Sequence, residues 1–310
     1  MKKIIGITVL VLLVVGLLAG GWLYYSFKRS NPWHAETIGD IPTPLGYTRI
    51  EANEGSYAAY LRSLPLKETG AKIELFTGGN ANYQWLGAAV IDTPLLSNYE
   101  QCADVTIRLR AEYLWQKGRY SEICFRDVNS KNMRYKGGSS RKAFESYLRK
   151  VYGMCSTYSV FHETSPRSIL EVQPGDVFVY PARPGRKYGH AVIVVDVARN
   201  ASGKVAIMCA EGNTPARSQH IVRNLNPIEN PWFFFDEDDD VFRVGPFRFN
   251  KNELRCYRWL KEILILLYNK LTNSWNTGVW KIVIFALILG QPIRYYITKY
   301  CCQVKFVSLF

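Results

Sequence analysis

The pattern of apolar and polar positions divides the chain into four parts. An uncharged apolar run fills residues 4–27, with Lys2 and Lys3 before it and Lys28 and Arg29 after it. About 20 apolar residues in helical conformation cross the hydrocarbon of a bilayer, so residues 1–30 read as an N-terminal membrane anchor or signal segment. "LLAGGW" is a poor cleavage site and no cysteine follows the run. An uncleaved anchor is therefore the reading adopted, with a cleaved signal as the alternative. The flanking charges balance and leave its orientation open. Residues 31–45, rich in Pro and Gly, read as a linker.

From residue 46 to 257 the pattern is that of a folded domain. "GSYAAYLRSLPL" predicts a short helix and "WLGAAVID" a strand. "NYEQCADVTIRLRAEYLWQKG" predicts the strongest helix in the chain, with Gly118 as its stop, and "RKAFESYLRKVYGMC" a further helix. The runs "GDVFVYPA", "HAVIVVDVA" and "KVAIMCAEG" predict strands separated by turn residues. Helices followed by a run of antiparallel strands indicate an α+β fold. Residues 258–310 differ again: one acid, Glu262, stands among seven Lys and Arg, and the apolar run over 279–290 is too short for an ordinary span. That basic, hydrophobic tail receives no role.

Composition changes the picture only a little. The net charge of +13 favours anionic partners such as lipid headgroups. No nucleic-acid-binding signature accompanies it, so nucleic acid is not expected as a partner. Seven cysteines, none in a CxxC pair, give a zinc site little support and leave at least one thiol outside any intramolecular disulfide. The acidic run "FFFDEDDDV" lacks the spaced ligands of an EF-hand and reads as a solvated loop. No phosphate-binding loop is present, and neither cofactor nor metal is expected.

The chemistry converges on one hairpin. If "NASG" closes a four-residue turn, Arg199 pairs with Lys204, His190 lies opposite Asn213, and Val192 lies opposite Glu211. Opposed residues share a face of the sheet. His190, Glu211 and Asn213 would then cluster at one end, as a general base and the group that orients it. Either Glu211 or Asn213 could be that group. The matching nucleophile is Cys102, at the start of the strong helix and one turn before the stripe of Val105, Leu109 and Tyr113. A helix N-terminus stabilises a thiolate, and its free amides suit an oxyanion hole. A buried structural cysteine is the bland alternative. Tyr99 and Gln101 flank it as further oxyanion donors. His162 and His220 read as structural and His34 as solvated. Asp104, Arg108, Arg110 and Glu112 read as surface or intrahelical ion pairs on the same helix.

"QCAD" at a helix start, followed by "PGDVFVYPA", "GHAVIVV" and "EGN", resembles the papain-like amidases of the NlpC and CHAP superfamily. The resemblance implies a papain-like α+β domain with Cys102 as nucleophile, His190 as base, and Glu211 or Asn213 orienting the imidazole. More of the chain, roughly residues 46–257, resembles the family of domain of unknown function 4846, through "GYTRIEANEGSYAAYLRSLPL", "QCADVTIRLRAEYL" and "NTPARSQHIVRN". That family brings no assigned activity. Together these imply a membrane-anchored, extracytoplasmic (periplasmic) thiol hydrolase cleaving an amide bond, with peptidoglycan stem peptides as substrate class. An acyl or thioester hydrolase using the same dyad, and a non-catalytic cell-wall or membrane-associated binding module, remain the alternatives.

Overall fold

The computed structural model describes residues 2–257; the tail over 258–310, with Cys301 and Cys302, lies outside them. In chain order the elements are α1 (Lys2–Lys28), β1 (Tyr47–Arg49), α2 (Tyr57–Arg62), β2 (Gly87–Val90), α3 (Cys102–Gln116), β3 (Cys124–Arg126), β4 (Asn132–Arg134), α4 (Arg141–Tyr152) and α5 (Thr157–Glu163). There follow β5 (Thr164–Pro166), β6 (Val177–Tyr180), β7 (His190–Asn200), β8 (Val205–Glu211), β9 (His220–Val222), β10 (Phe233–Phe235), β11 (Val241–Val244), β12 (Phe247–Asn250) and β13 (Leu254–Tyr257).

The α+β expectation holds. Nine strands form one sheet along the path β2-β9-β8-β7-β6-β13-β5, with β1 on β7 and β10 on β8. The central pairs β6–β7, β7–β8 and β8–β9 are all antiparallel. β8 is buried along its whole length and β7 up to its last two residues, which explains why both read as nearly unbroken apolar runs. Val192, Val194, Ile207 and Cys209 form part of the main core with Phe178, Phe235, Phe242 and Phe249. The separate hairpin β11–β12 supplies the last two phenylalanines.

Helix α3 packs on β7 and is buried at every position from Cys102 to Leu114 except Arg110. The expectation of surface or intrahelical ion pairs holds for Arg108 and Glu112, which pair within the helix at 3.7 Å, but these charges are buried and not at the surface. Arg108, 4% exposed, pairs with the sealed Glu100 at 2.6 Å, and Arg141 of α4 grips Glu112 through both guanidinium nitrogens at 2.6 and 2.8 Å. Buried charge persists only when it is paired in this way.

The segment 31–45 is packed rather than a loose linker. Ile38 and Ile41 are sealed from solvent, and the Asn31 amide donates to the carbonyls of Ala35 and Lys67. Its Pro and Gly content marks turns, while these few side chains anchor it. The anchor expected at the N-terminus is helical, with Leu13, Leu17 and Leu18 each at least 60% exposed. Among the described residues no helix is long and apolar enough to cross a membrane. The carbonyls at the C-terminal end of α1 are held by Arg223, which donates to Phe27 O, to Arg29 O at 2.9 Å and to Gly87 O at 2.6 Å.

Candidate active site

Antiparallel pairing puts the start of β7, the end of β8 and the start of β9 at one end of the sheet. The hairpin that does this differs from expectation at its turn. Asn200 N–H donates to Lys204 O, and Arg199 pairs with Val205, not Lys204. The loop is thus three residues long, with Gly203 at φ +84 in the left-handed region. The Asn200 side chain accepts from the N–H groups of Ser202 and Lys204 and fixes the bend. A bulge between Val194 and Asp196 then shifts the pairing by one residue. Beyond it Ile193 pairs with Ala210, which is the register expected from the sequence, and that register continues to Val192 opposite Glu211.

His190 is 4% exposed and its Nε2 lies 2.7 Å from Glu211 Oε2. The Cys102 thiol lies close enough to the same imidazole to act on its ionisation. With Nε2 taken by the carboxylate, Nδ1 is the nitrogen left for sulfur. Burial alone would lower the imidazole, but its neighbours Cys102 and Glu211, and the negative charge of both, raise it to about 9. Burial would likewise raise the Glu211 carboxyl, yet His190 at 2.7 Å and His220 at 3.3 Å from the other oxygen hold it at about 2. Phe247 of β12 lies flat on the imidazole, with ring centroids 3.6 Å apart and planes 19° apart, and shields one face from water. Tyr180 pairs with His190 across β6–β7.

Cys102 is the first residue of α3 and is 8% exposed. Its own N–H is one of the four that a helix leaves without an intrahelical acceptor. The N-terminal turn is tied down by Asp104 Oδ2, which accepts from Gln101 N–H at 3.0 Å. The Gln101 side chain turns instead to Thr214, whose hydroxyl donates to its Oε1 at 2.8 Å. Burial pushes the Asp104 carboxyl well above the usual carboxylate range, toward its neutral form. It therefore cancels less of the positive end of the helix dipole beside the thiol. All five cysteines among the described residues are free thiols.

The structure thus brings together Cys102, His190 and Glu211. Asn213 Oδ1 accepts from the N–H of the next residue, Thr214, at 2.8 Å, and the carboxylate in contact with His190 is that of Glu211. Tyr99 is 65% exposed at the surface. His162 meets Tyr158 of its own helix α5 with ring planes tilted by 52°, and His34 is exposed. In the acidic run, Asp236 pairs with Lys204 and Asp239 accepts from Asp236 N–H, an ordinary surface loop. Among the described residues no cluster of His, Cys, Asp or Glu is built to hold a metal.

Two residues were missed in the sequence. His220 pairs with Glu211 across β8–β9 and brings Nε2 to 3.3 Å from Glu211 Oε1. The signal available was its distance from "EGN", short enough for an adjacent strand. Phe247 carried no signal, since its hairpin is remote in sequence. The surface cavity of about 580 Å³ lined by Lys67, Glu74, Phe76, Asp92 and Ser218 does not take in Cys102, His190 or Glu211.

The family model described as Domain of unknown function (4846) matches residues 39–137 and 134–256. No curated protein and no solved structure matches the chain. The match covers well over half of the chain, and the chain belongs to this family.

Proposed function

We propose that this member of the domain of unknown function 4846 family is a thiol hydrolase that opens an amide bond through a thioester on Cys102. The observation that carries the reading is the buried His190, held by Glu211 at 2.7 Å and influenced by the Cys102 thiol at the start of α3. The papain-like fold of the NlpC and CHAP amidases is the finer architectural reading that goes with it.

His190 takes the thiol proton, and the thiolate attacks the carbonyl carbon of the substrate. The N–H groups of the first turn of α3, that of Cys102 among them, face the developing oxyanion. The imidazolium then gives its proton to the nitrogen as the C–N bond breaks, which releases an amine and leaves a thioester. Water attacks that thioester, His190 accepts its proton, and the C–S bond breaks to return the sulfur and release a carboxylic acid. Glu211 holds the imidazole by Nε2 throughout, so that Nδ1 carries the moving proton.

Peptidoglycan stem peptides are the substrate class, by resemblance to the amidases. The extracytoplasmic location goes with the sequence reading of residues 4–27 as an anchor. Trp22, Tyr24 and Tyr25 are exposed near its C-terminal end, where aromatic side chains suit a membrane–water interface. The grip of Arg223 on Phe27 O and Arg29 O would hold the domain close to that surface.

The test uses the full chain in detergent with purified sacculi, and reads released fragments by mass spectrometry. New amine and carboxyl ends within the stem peptide, absent with Cys102→Ala and His190→Ala, are the expected result. Retention on sacculi by wild type and Cys102→Ala alike, with no cleavage, would replace the hydrolase with a binding module. Turnover of an acyl thioester alone, lost in Cys102→Ala, would move the substrate class and keep the dyad.

A further inference from the structure

We infer that the loop joining β6 to β7 is the substrate-recognition rim of this site, and that Arg186 on it receives a carboxylate carried by the substrate close to the scissile bond. The inference deepens the proposed hydrolase and rests on reading Cys102 and His190 as its catalytic pair. The loop, "PARPGRKYG", runs from Pro181 to Gly189 and leads directly into His190. It holds three basic residues and no acid. Its tip is a defined turn. Arg183 N–H donates to Arg186 O at 3.0 Å, and Arg186 N–H donates to Arg183 O at 2.8 Å. Pro184 and Gly185, the latter at φ +80, fill the two positions between them. Residues opposed in this way share a face. Both guanidinium groups accordingly lie over one ring, that of Tyr180, with Arg186 at 4.2 Å and Arg183 at 5.7 Å from its centroid.

Tyr180 ties this rim to the chemistry. It pairs with His190 across β6–β7, so the two side chains share a face of the sheet. Phe247 and Phe249, two apart on β12, pack on the imidazole and on the Tyr180 ring respectively. Burial raises the Tyr180 phenol, and the charges that act on it are those of Arg186, Cys102, Glu253 and Arg183. Guanidinium and thiol are thus neighbours of the same phenol. The two arginines are not equivalent. The one ion pair of the loop among the described residues joins Arg183 to the buried Glu253 at 2.5 Å, which offsets that charge. Arg186 is half-buried and meets no carboxylate there. Of its five N–H groups one is used, from Nη1 to Arg248 O at 2.9 Å. Lys187 is exposed, with its ammonium 5.3 Å from the Tyr188 ring, and adds a second uncompensated charge. A guanidinium seated on an aromatic face keeps its edge donors for a carboxylate, which it binds through two parallel bonds.

The experiment compares two alkylating probes of similar size on the full chain in detergent: iodoacetate, which carries a carboxylate, and iodoacetamide, which is neutral. Modified cysteines are mapped by mass spectrometry, and the ratio of the two rates at Cys102 is read. Wild type, Arg186→Met, Arg186→Lys and His190→Ala are compared. The ratio cancels changes in the reactivity of the thiol, and the pull of His190 on the anion is common to wild type and both Arg186 variants. Arg186→Met keeps an aliphatic stem and removes the charge. It should lower the preference for iodoacetate by roughly three- to fivefold at low salt. Arg186→Lys keeps the charge and should retain most of the preference. In wild type the preference should decline as salt is added. An Arg186→Met ratio equal to that of wild type overturns the inference and leaves the dyad standing. A wild-type ratio that ignores salt does the same, and needs no variant to fold. Loss of the preference when phosphatidylglycerol is mixed into the micelles gives the loop to lipid headgroups and also overturns the inference. A Cys102 that reacts with iodoacetamide like the other thiols, indifferent to His190→Ala, sinks the dyad and the inference together.

Discussion

His190 and Glu211 meet Nε2 to Oε2 at 2.7 Å with side chains only 5% and 0% exposed. Neither exchanges its partner for water, so the contact does more than tether a ring. It decides which nitrogen faces sulfur, and it makes the ionisation of each group depend on the other.

That dependence ties stability to pH. Glu211 lies at about 2, below the ordinary carboxyl near about 4.3. Its contribution is full above the ordinary value and is lost as pH falls through it toward 2. His190 lies at about 9, above the ordinary imidazole near about 6.5. Its contribution is full below the ordinary value and is lost as pH rises through 9. The two shifts describe one interaction, whose plateau spans roughly pH 4.5 to 6.5. Urea denaturation of wild type and Glu211→Gln at pH 3, 5.5 and 10 reads this directly. The gap in stability should be widest at pH 5.5 and should narrow at both ends. A gap that ignores pH would remove the ion pair.

Gly189, just before His190, is a second point of sensitivity. A Cβ there would stand 2.1 Å from Thr157 Oγ1 and 2.6 Å from Tyr180 O. The carbonyl belongs to β6 and cannot swing aside. Gly189→Ala should cost about 1–3 kcal/mol, the usual penalty of overpacking, and should slow Cys102 alkylation by displacing the base. Thermal melts and the alkylation rate together check this. A variant as stable and as reactive as wild type would show that the loop relaxes freely.

The charges within α3 give a prediction about stability alone. Arg108→Met leaves Glu100 sealed, with only Gln219 Nε2 and Leu96 N–H to support it. Breaking one side of a buried pair costs about 3–5 kcal/mol. Adding Glu100→Gln to Arg108→Met should recover much of that, because no lone charge remains. Chemical denaturation of both variants separates the outcomes. Equal losses in the single and double variants would mean that the packing of the Arg108 stem dominates.

Legibility in the sequence tracked burial and length. β7 and β8 were readable because both are long and almost wholly apolar, and Cys102 because it opens a helix. The charges of α3 misled, since a helix buried on nearly all sides ordinarily carries few of them, and only Glu100, far from it in pattern, reveals that Arg108 is inside. His220 was passed over because β9 is three residues long, too short to show a period. The choice between Glu211 and Asn213 could not be made from strand alternation, since both fall on the same face; in the structure the contact with His190 is made by Glu211, while Asn213 bonds to Thr214 N–H. The bulge at Val195 left no trace at all, because one more valine in a run of valines looks like any other.

That bulge works like a second frameshift that cancels a first. The three-residue turn sets the distal hairpin one step out of phase with the arrangement the site needs, and the bulge restores the phase before Val192 and Glu211 are reached. The turn around residues 201–203 is thereby decoupled from the site. It can change length or accept a grafted peptide with its errors absorbed on the far side of Asp196, which is pinned by Arg49 and Arg62 at 2.5 and 2.7 Å. Only the turn residues themselves gain this freedom, because β1 and β10 pair with the distal ends of β7 and β8.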